Sequence, residues 1–165
     1  MEQKIINYKN QEKKNTLINN TIVGADNNYK KKVKDAFLEL DKYLIDDKFK
    51  LSATILKDAN VVAASINHVL LTYKYSSMVE ENDNEILNIT ELLQNLLNNH
   101  YKIVAITEDD WKKERPKYIK LKKENKLNFI EEKEIIDDKR IELKLENTID
   151  NYVEMFGSEL LEMEG

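Results

Sequence analysis

Two histidines and a few clusters of acidic residues are the side chains in this sequence that could do acid–base or metal chemistry. His68 falls at a predicted hairpin turn and His100 at a predicted helix end, so both are expected to be exposed polar residues. Their spacing fits no metal-binding motif, and the absence of cysteine removes thiolate ligands. The acidic runs Glu108–Asp110 and Asp137–Asp138 are typical of a helix N-terminus and of a solvated segment. We therefore expect no catalytic residue, no bound metal and no cofactor.

Glycine is too sparse in this sequence for a phosphate-binding loop. Such a loop needs glycines close together, so that backbone N–H groups can approach phosphate oxygens. Here Gly24, Gly157 and Gly165 stand alone. The pattern excludes a P-loop ATPase within this chain, and we expect no small-molecule substrate.

A run of basic residues follows the single tryptophan, Trp111. Phosphate contacts with nucleic acid need such charge. However, Glu114 and Glu124 interrupt the run, and the GxxG loop by which a KH domain grips a nucleic-acid backbone is missing. A KH-like module with weak, nonspecific contact to single-stranded DNA therefore stays open as an alternative function. The residues predicted for that contact are Lys112, Lys113, Lys117 and Lys120.

Acidic charge is concentrated at the C-terminal end of the chain. Residues 127–165 hold 12 acidic and 4 basic side chains, whereas residues 1–126 hold 19 acidic and 22 basic ones. An acidic end on a mildly basic body is typical of an interaction module. The aromatic residues and methionines of this end are favoured in interface cores, and packing against the chain's own sheet is the alternative. The predicted partner-binding residues are Tyr152, Met155, Phe156, Leu160, Leu161 and Met163.

Composition and periodicity divide the sequence into four regions. Residues 1–26 are rich in Asn, Lys and Gln without a sustained pattern, so they are predicted to be a disordered lead. An α+β core is predicted over 27–121, a charged tether over 122–146, and a C-terminal helix with an acidic–apolar tail over 147–165. No apolar run approaches the length of a membrane span, so we expect a cytoplasmic protein without membrane contact.

Three strands are predicted within the core. A hairpin is expected from Val61–Ser65 and Val69–Tyr75, with a tight turn near Asn67. The alternation in its second strand predicts that Thr72 and Lys74 face water. The third strand is expected over residues 101–106 and returns to the same sheet.

Helices are predicted around these strands. One helix is expected to begin near Asn27, a short one covers residues 51–56, and a single helix is expected over 77–97. Thr107 is expected to cap a last core helix that runs to about Pro116. The elements predict a two-layer α+β fold, in which a small sheet of about three strands packs on helices. Their order is that of a type II KH module missing one helix, with helical N- and C-terminal extensions.

Three blocks of sequence are informative through their order and spacing along the chain. They are the hairpin Leu56–Tyr75, the strand Ile103–Ile106 with its acidic turn and Trp111, and the tail Met155–Glu162. In this order and spacing, over roughly residues 27–165, they resemble the C-terminal region of the gamma/tau subunit of bacterial DNA polymerase III. The similarity is to the form found in low-GC Gram-positive and mycoplasma-like bacteria.

This resemblance implies a role in a clamp loader. In that family, the matching region holds the catalytic (alpha) subunit of the replicative polymerase, and other clamp-loader subunits are further implied partners. The family's ATPase motor, with its phosphate loop and zinc-binding cysteines, is missing from this sequence. The implied function is therefore noncatalytic tethering of the polymerase during DNA replication, without ATPase activity.

Overall fold

A sheet of three strands organises this computed structural model, which describes residues 2–132 and the side chains of residues 11–132. Residues 14–132 form one compact unit. The described elements are α1 (Glu2–Val23), α2 (Asn27–Phe37), a 3-10 helix (Leu40–Tyr43), α3 (Lys50–Lys57), β1 (Asn60–Ala64), β2 (His68–Tyr73), α4 (Ser76–Asn84), α5 (Ile86–Leu97), β3 (Lys102–Thr107) and α6 (Glu108–Lys123).

The central strand of this sheet is β2, and all six of its residues are buried. It pairs with β1 in antiparallel orientation across the predicted hairpin, and a register shift interrupts that pairing between Val61 and Ala63. It pairs with β3 in parallel orientation, so that Val69 lies opposite Ile103 and Leu71 opposite Ala105. The α+β class, with a three-stranded mixed sheet packed on helices, is therefore confirmed.

Helices cover both faces of the sheet. On one face Val69, Leu71 and Tyr73 join the larger core, to which α2, α3 and α5 contribute. On the other face Leu70 packs in a second core with Leu17 from α1 and with residues of α6. This alternation follows from strand geometry, because successive side chains of a strand point to opposite faces. Both core layers depend on β2.

Helix α1 replaces the disordered lead that the sequence predicted for residues 1–26. Leu17 and Ile18 are buried in the second core, and the prediction is wrong for this part of the chain. The helical period is weak in the sequence because the neighbouring buried residues Asn19, Asn20 and Thr21 are polar. A polar helix face normally indicates exposure to solvent. Here that face is buried, and the rest of the fold supplies hydrogen-bond partners for its side chains.

The second core also explains why Thr72 does not face water. It is buried at 2% exposure, because it lies on the side of β2 that α1 and α6 cover. Lys74, just beyond β2, is exposed as predicted. His68 is likewise buried, at 3% exposure, so the expectation of an exposed histidine is wrong there, while His100 is exposed as predicted.

Two helix predictions need correction. The single helix expected over 77–97 is split at Glu85, which caps the end of α4 and the start of α5. Pro116 does not end α6, which continues to Lys123. Proline removes one helical N–H, and the packing of Tyr118 in the second core holds the helix together beyond that point. Thr107 caps α6 as predicted, since its Oγ1 accepts a hydrogen bond from the Asp110 N–H at 3.1 Å.

The compact unit is wider than the predicted core at both ends. It extends from residue 14 to residue 132, whereas the sequence predicted 27–121. The first part of the predicted tether is packed on the body, because α6 covers residues up to Lys123 and Leu127 packs against the second core. The predictions for residues 133–165 lie outside the described residues.

Candidate functional site

A short segment after α6, residues 127–132, crosses the body and is here called the strap. Its backbone is fixed by two asparagines of α1. Asn20 Nδ2 donates to the Ile130 carbonyl at 2.7 Å, and the Ile130 N–H donates to Asn20 Oδ1 at 2.8 Å. Asn19 Nδ2 donates to the Asn128 carbonyl at 2.8 Å. The Asn20 amide thus bonds both the N–H and the carbonyl of Ile130, as the backbone of a neighbouring β-strand would.

A left-handed residue directs the chain into the strap. Asn125 has a φ of 54°, directly after the C-cap residue Glu124. The Lys126 N–H donates to the Leu121 carbonyl at 2.9 Å, and the Asn125 N–H donates to the Lys122 carbonyl at 3.2 Å. These two bonds form a Schellman motif, which ends the helix and reverses the chain. Asparagine is the usual substitute for glycine at such a position.

Three elements converge on the carboxylate of Glu132 at the end of the strap. His68 Nε2, from the hairpin end, lies 2.6 Å from Oε2, and Asn20 Nδ2, from α1, lies 2.7 Å from the same oxygen. Lys102 Nζ, from the first residue of β3, forms an ion pair with Oε1. Only 10% of the Glu132 side chain is exposed. We call Asn20, His68, Lys102 and Glu132 the latch.

The surroundings of Glu132 favour the charged form of its carboxylate. Burial acts to raise the pKa of Glu132, but hydrogen bonds from Lys102, Asn20 and His68 outweigh burial and hold that pKa below its ordinary value. The His68 ring is held from both sides, because its Nδ1 lies 2.7 Å from Asn67 Oδ1. Since both neighbours present an oxygen, a protonated ring can donate through both nitrogens.

The hydrogen bonds of the latch fix the strap and leave neither nitrogen of the His68 ring without a partner. Both nitrogens of His68 are engaged by Asn67 and Glu132. The nearest hydroxyl in the turn, Ser65 Oγ, accepts from the His68 backbone N–H at 3.0 Å. It therefore caps the turn, and among the described residues the histidine ring and this hydroxyl form no nucleophile–base pair. The arrangement closes the strap onto the sheet.

Apolar side chains next to the latch point into solvent. Ile66 and Phe129 are each 61% exposed, and Ile130 is 46% exposed. The Phe129 ring lies edge-on to the His68 ring, with ring centroids 6.4 Å apart. The backbone that carries Ile130 is fixed by Asn20. Because its backbone is held in place, Ile130 is presented with little backbone freedom.

The predicted DNA-contact residues all lie on α6. Lys112, Lys113, Lys117 and Lys120 are exposed there. Lys117 is 3.7 Å from Glu114 and lies over the Tyr118 ring, so its charge is partly satisfied within the helix. Trp111, at the start of the same helix, is half-buried, and its ring stacks on that of Tyr118 with ring centroids 6.2 Å apart.

Neither a metal centre nor a membrane span is found in the described part of the chain. No group of three or more His, Cys, Asp or Glu side chains among these residues could hold a metal ion. None of the described helices combines the length and the apolar character that crossing a bilayer requires.

No family model matches the chain, and no curated protein or solved structure matches it either.

The latch residues were missed by sequence reasoning. Glu132 and Lys102 are ordinary charged residues in a charge-rich sequence, and their partners are distant along the chain. The one available signal was the pair Asn19-Asn20 beside Leu17 and Ile18, a polar pair within a possible helix. The predicted partner-binding residues, which lie outside the described residues, are Tyr152, Met155, Phe156, Leu160, Leu161 and Met163.

Proposed function

We propose that this chain is a noncatalytic interaction domain of the DNA polymerase III gamma/tau type, which tethers the catalytic subunit of the replicative polymerase. In this role it works in the cytoplasm, within a clamp loader, and carries no ATPase activity. Its partners are the polymerase alpha subunit and the other clamp-loader subunits.

One spatial relationship supports this proposal most directly. Two of the three sequence blocks that carry the resemblance are neighbours in a single sheet, because β2 of the hairpin block pairs with β3 of the tryptophan block over six residue pairs. Trp111 lies in the first turns of α6, which packs on the same sheet through Tyr118. This proximity is what the resemblance requires of the two blocks.

Fixation of the strap gives the proposal a physical basis. The latch fixes the chain at Glu132, and the proposed anchors begin in sequence at Tyr152. The last 21 residues, 145–165, hold six acidic and no basic side chains, together with aromatic, Leu and Met residues. Such a composition suits a partner surface that is apolar at its centre and basic at its rim.

Binding to the isolated alpha subunit tests this function. The full chain is titrated against that subunit, and a Phe156→Ala, Leu160→Ala, Leu161→Ala variant is compared with the wild type. Loss of three anchors should weaken binding by about 100-fold or more, since each buried anchor contributes about 1–3 kcal/mol. A matched variant of polar neighbours in the same segment, Thr148→Ala, Asn151→Ala, Ser158→Ala, should bind like the wild type. Equal binding by the wild type and the anchor variant would contradict the proposal.

A second candidate function is weak contact with single-stranded DNA. Helix α6 favours it, because seven basic and four acidic residues give the helix a net charge of +3. Against it, Asn84 and Glu85 form the junction of α4 and α5 without a glycine, so a KH-type backbone grip is not formed there. Titration with a fluorescent oligonucleotide at rising salt separates the two functions, since phosphate contacts weaken steeply with salt.

A further inference from the structure

One exposed side of α6 gathers basic residues around two apolar ones. We call these residues the α6 stripe; they recur at the spacing of three or four that places side chains on one face of a helix. Together with Glu124, they line one open depression on the surface. The stripe consists of Lys112, Arg115, Pro116, Ile119, Lys120 and Lys123.

The stripe faces away from the sheet. Tyr118 and Trp111, which pack in the second core, lie on the opposite side of α6. At 100° per residue, the direction of Tyr118 is roughly 130° from the mean direction of the six stripe residues. Ile119 is 42% exposed, although it is an apolar residue on the surface of a folded body.

The charges of the stripe are not neutralised locally. Among residues 11–132, Lys117 is near Glu114 and Lys126 is near Glu124, but both of these lysines lie outside the stripe. Within the same residues, none of the four stripe cations forms an ion pair. The described part of the body therefore leaves four unpaired cations around an apolar centre, and Glu124, the acidic residue of the depression, is paired with Lys126.

We propose that the α6 stripe binds an acidic amphipathic segment of a partner protein. The cations form two pairs, Lys112 with Arg115 and Lys120 with Lys123, and the residues Pro116 and Ile119 lie between them. The two pairs are eight residues apart, which is about 12 Å along the helix. A segment with carboxylates at both ends and one or two apolar side chains between them matches this order. The surface lies outside residues 147–165, so the inference does not depend on the proposed function.

A nucleic-acid backbone matches the stripe less well. Phosphates repeat at short intervals, and a groove that follows them carries continuous positive charge. Here the positive charge of the stripe falls into two pairs separated by Pro116 and Ile119, and it does not continue along the helix. The apolar centre at Ile119 has no partner on a phosphate backbone. An acidic protein segment uses both the charges and the apolar centre.

Peptide titration of the full chain tests this inference. The probe is a fluorescent helical peptide of about 18 Glu and Leu residues, with Leu at every third or fourth position so that one face is apolar. The stripe variant is Lys112→Gln, Arg115→Gln, Lys120→Gln, Lys123→Gln. The matched control removes four charges from the same region off the stripe, as Lys113→Gln, Lys117→Gln, Lys122→Gln, Lys126→Gln.

The peptide should bind the wild type, and the stripe variant should bind it at least about tenfold more weakly, because four charge pairs are lost. The control should change the affinity less than threefold, because it lowers only the general positive charge of the region. Ile119→Gln, which changes no charge, should weaken the Glu–Leu peptide several-fold and leave an all-Glu peptide unaffected. Circular dichroism checks that each variant keeps the helical content of the wild type.

Several results would overturn the inference. These are absence of peptide binding, equal weakening by the stripe and control variants, and equal affinity for the all-Glu peptide. Tighter binding of an oligothymidine of equal charge would assign the stripe to nucleic acid. Dimerisation in analytical ultracentrifugation that only the stripe variant abolishes would assign it to a second copy of this chain.

Discussion

His68 Nε2 lies 2.6 Å from Glu132 Oε2, although the two residues are 64 positions apart in the sequence. The contact joins the hairpin end of the sheet to the strap that follows the last described helix. Asn20 and Lys102 reach the same carboxylate from two other elements. One carboxylate thus connects α1, β2, β3 and the strap.

The charge of Glu132 should make stability depend on pH. Its pKa is lowered in the folded chain, so its contribution is fully present above the unfolded value near 4.5 and is lost as pH falls through the lower folded value. We expect Glu132→Gln to be less stable than the wild type by about 1–3 kcal/mol at pH 7, because three donors lose a charged acceptor. The difference should shrink below pH 4.5. Thermal unfolding across pH 3–7, followed by circular dichroism, measures it.

Glu131 provides the control for that experiment, since it is the exposed neighbour of Glu132. Glu131→Gln removes the same charge from the same segment and should leave stability within about 0.5 kcal/mol of the wild type. A pH-independent difference between Glu132→Gln and the wild type would show that the charge of Glu132 does not stabilise the fold.

Asn20 should be essential for holding the strap. Asn20→Ala removes the acceptor of the Ile130 N–H and the donor to the Ile130 carbonyl, so it should cost about 1–3 kcal/mol. Asn20→Asp keeps the acceptor but places a second carboxylate next to Glu132, so at neutral pH it should destabilise the strap further. Amide hydrogen exchange of Ile130 measures both effects. If exchange at Ile130 stays slow in both variants, Asn20 does not hold the strap.

Helix α1 should be part of the folding unit. Ile18 is 2% exposed in the second core, so Ile18→Ala should reduce the free energy of unfolding by about 2–5 kcal/mol. Lys13→Ala, at an exposed position of the same helix, should have an effect within about 0.5 kcal/mol. Denaturant unfolding of the full chain gives both values. An Ile18→Ala variant as stable as the wild type would mean that α1 does not pack as described.

The strands could be predicted from the sequence because their signals are local. Val69, Leu71 and Tyr73 alternate along β2, the hairpin turn lies where Asn67 indicates it, and Thr107 caps the next helix. These features need only neighbours within a few residues. The three-stranded α+β arrangement followed from them.

The second core layer could not be predicted, because its signals are distant in sequence. Asn20 is polar and yet buried, since Ile130 and Glu132 satisfy its amide from 110 and 112 positions away. The burial of Thr72 and His68 follows from the same layer. Without α1, the sequence indicates that one face of β2 is exposed to solvent. Because residues 1–26 carry no clear helical period, no local pattern in the sequence predicts that α1 covers this face of β2.

Asn125 should tolerate glycine but not a β-branched residue. Its φ of 54° lies in the left-handed region, where glycine has no steric penalty and a Cβ-branched side chain is strained. Asn125→Gly should therefore keep stability within about 1 kcal/mol of the wild type, whereas Asn125→Val should cost about 1–2 kcal/mol more. The strain acts on the hydrogen bond from the Lys126 N–H to the Leu121 carbonyl, so exchange at Lys126 should accelerate in the valine variant alone. Thermal unfolding and hydrogen exchange of the two variants give this comparison, with glycine as the matched control. Equal stability of the glycine and valine variants would mean that the chain enters the strap without a left-handed residue at position 125. Asn125 would then not be the residue that fixes the strap relative to α6.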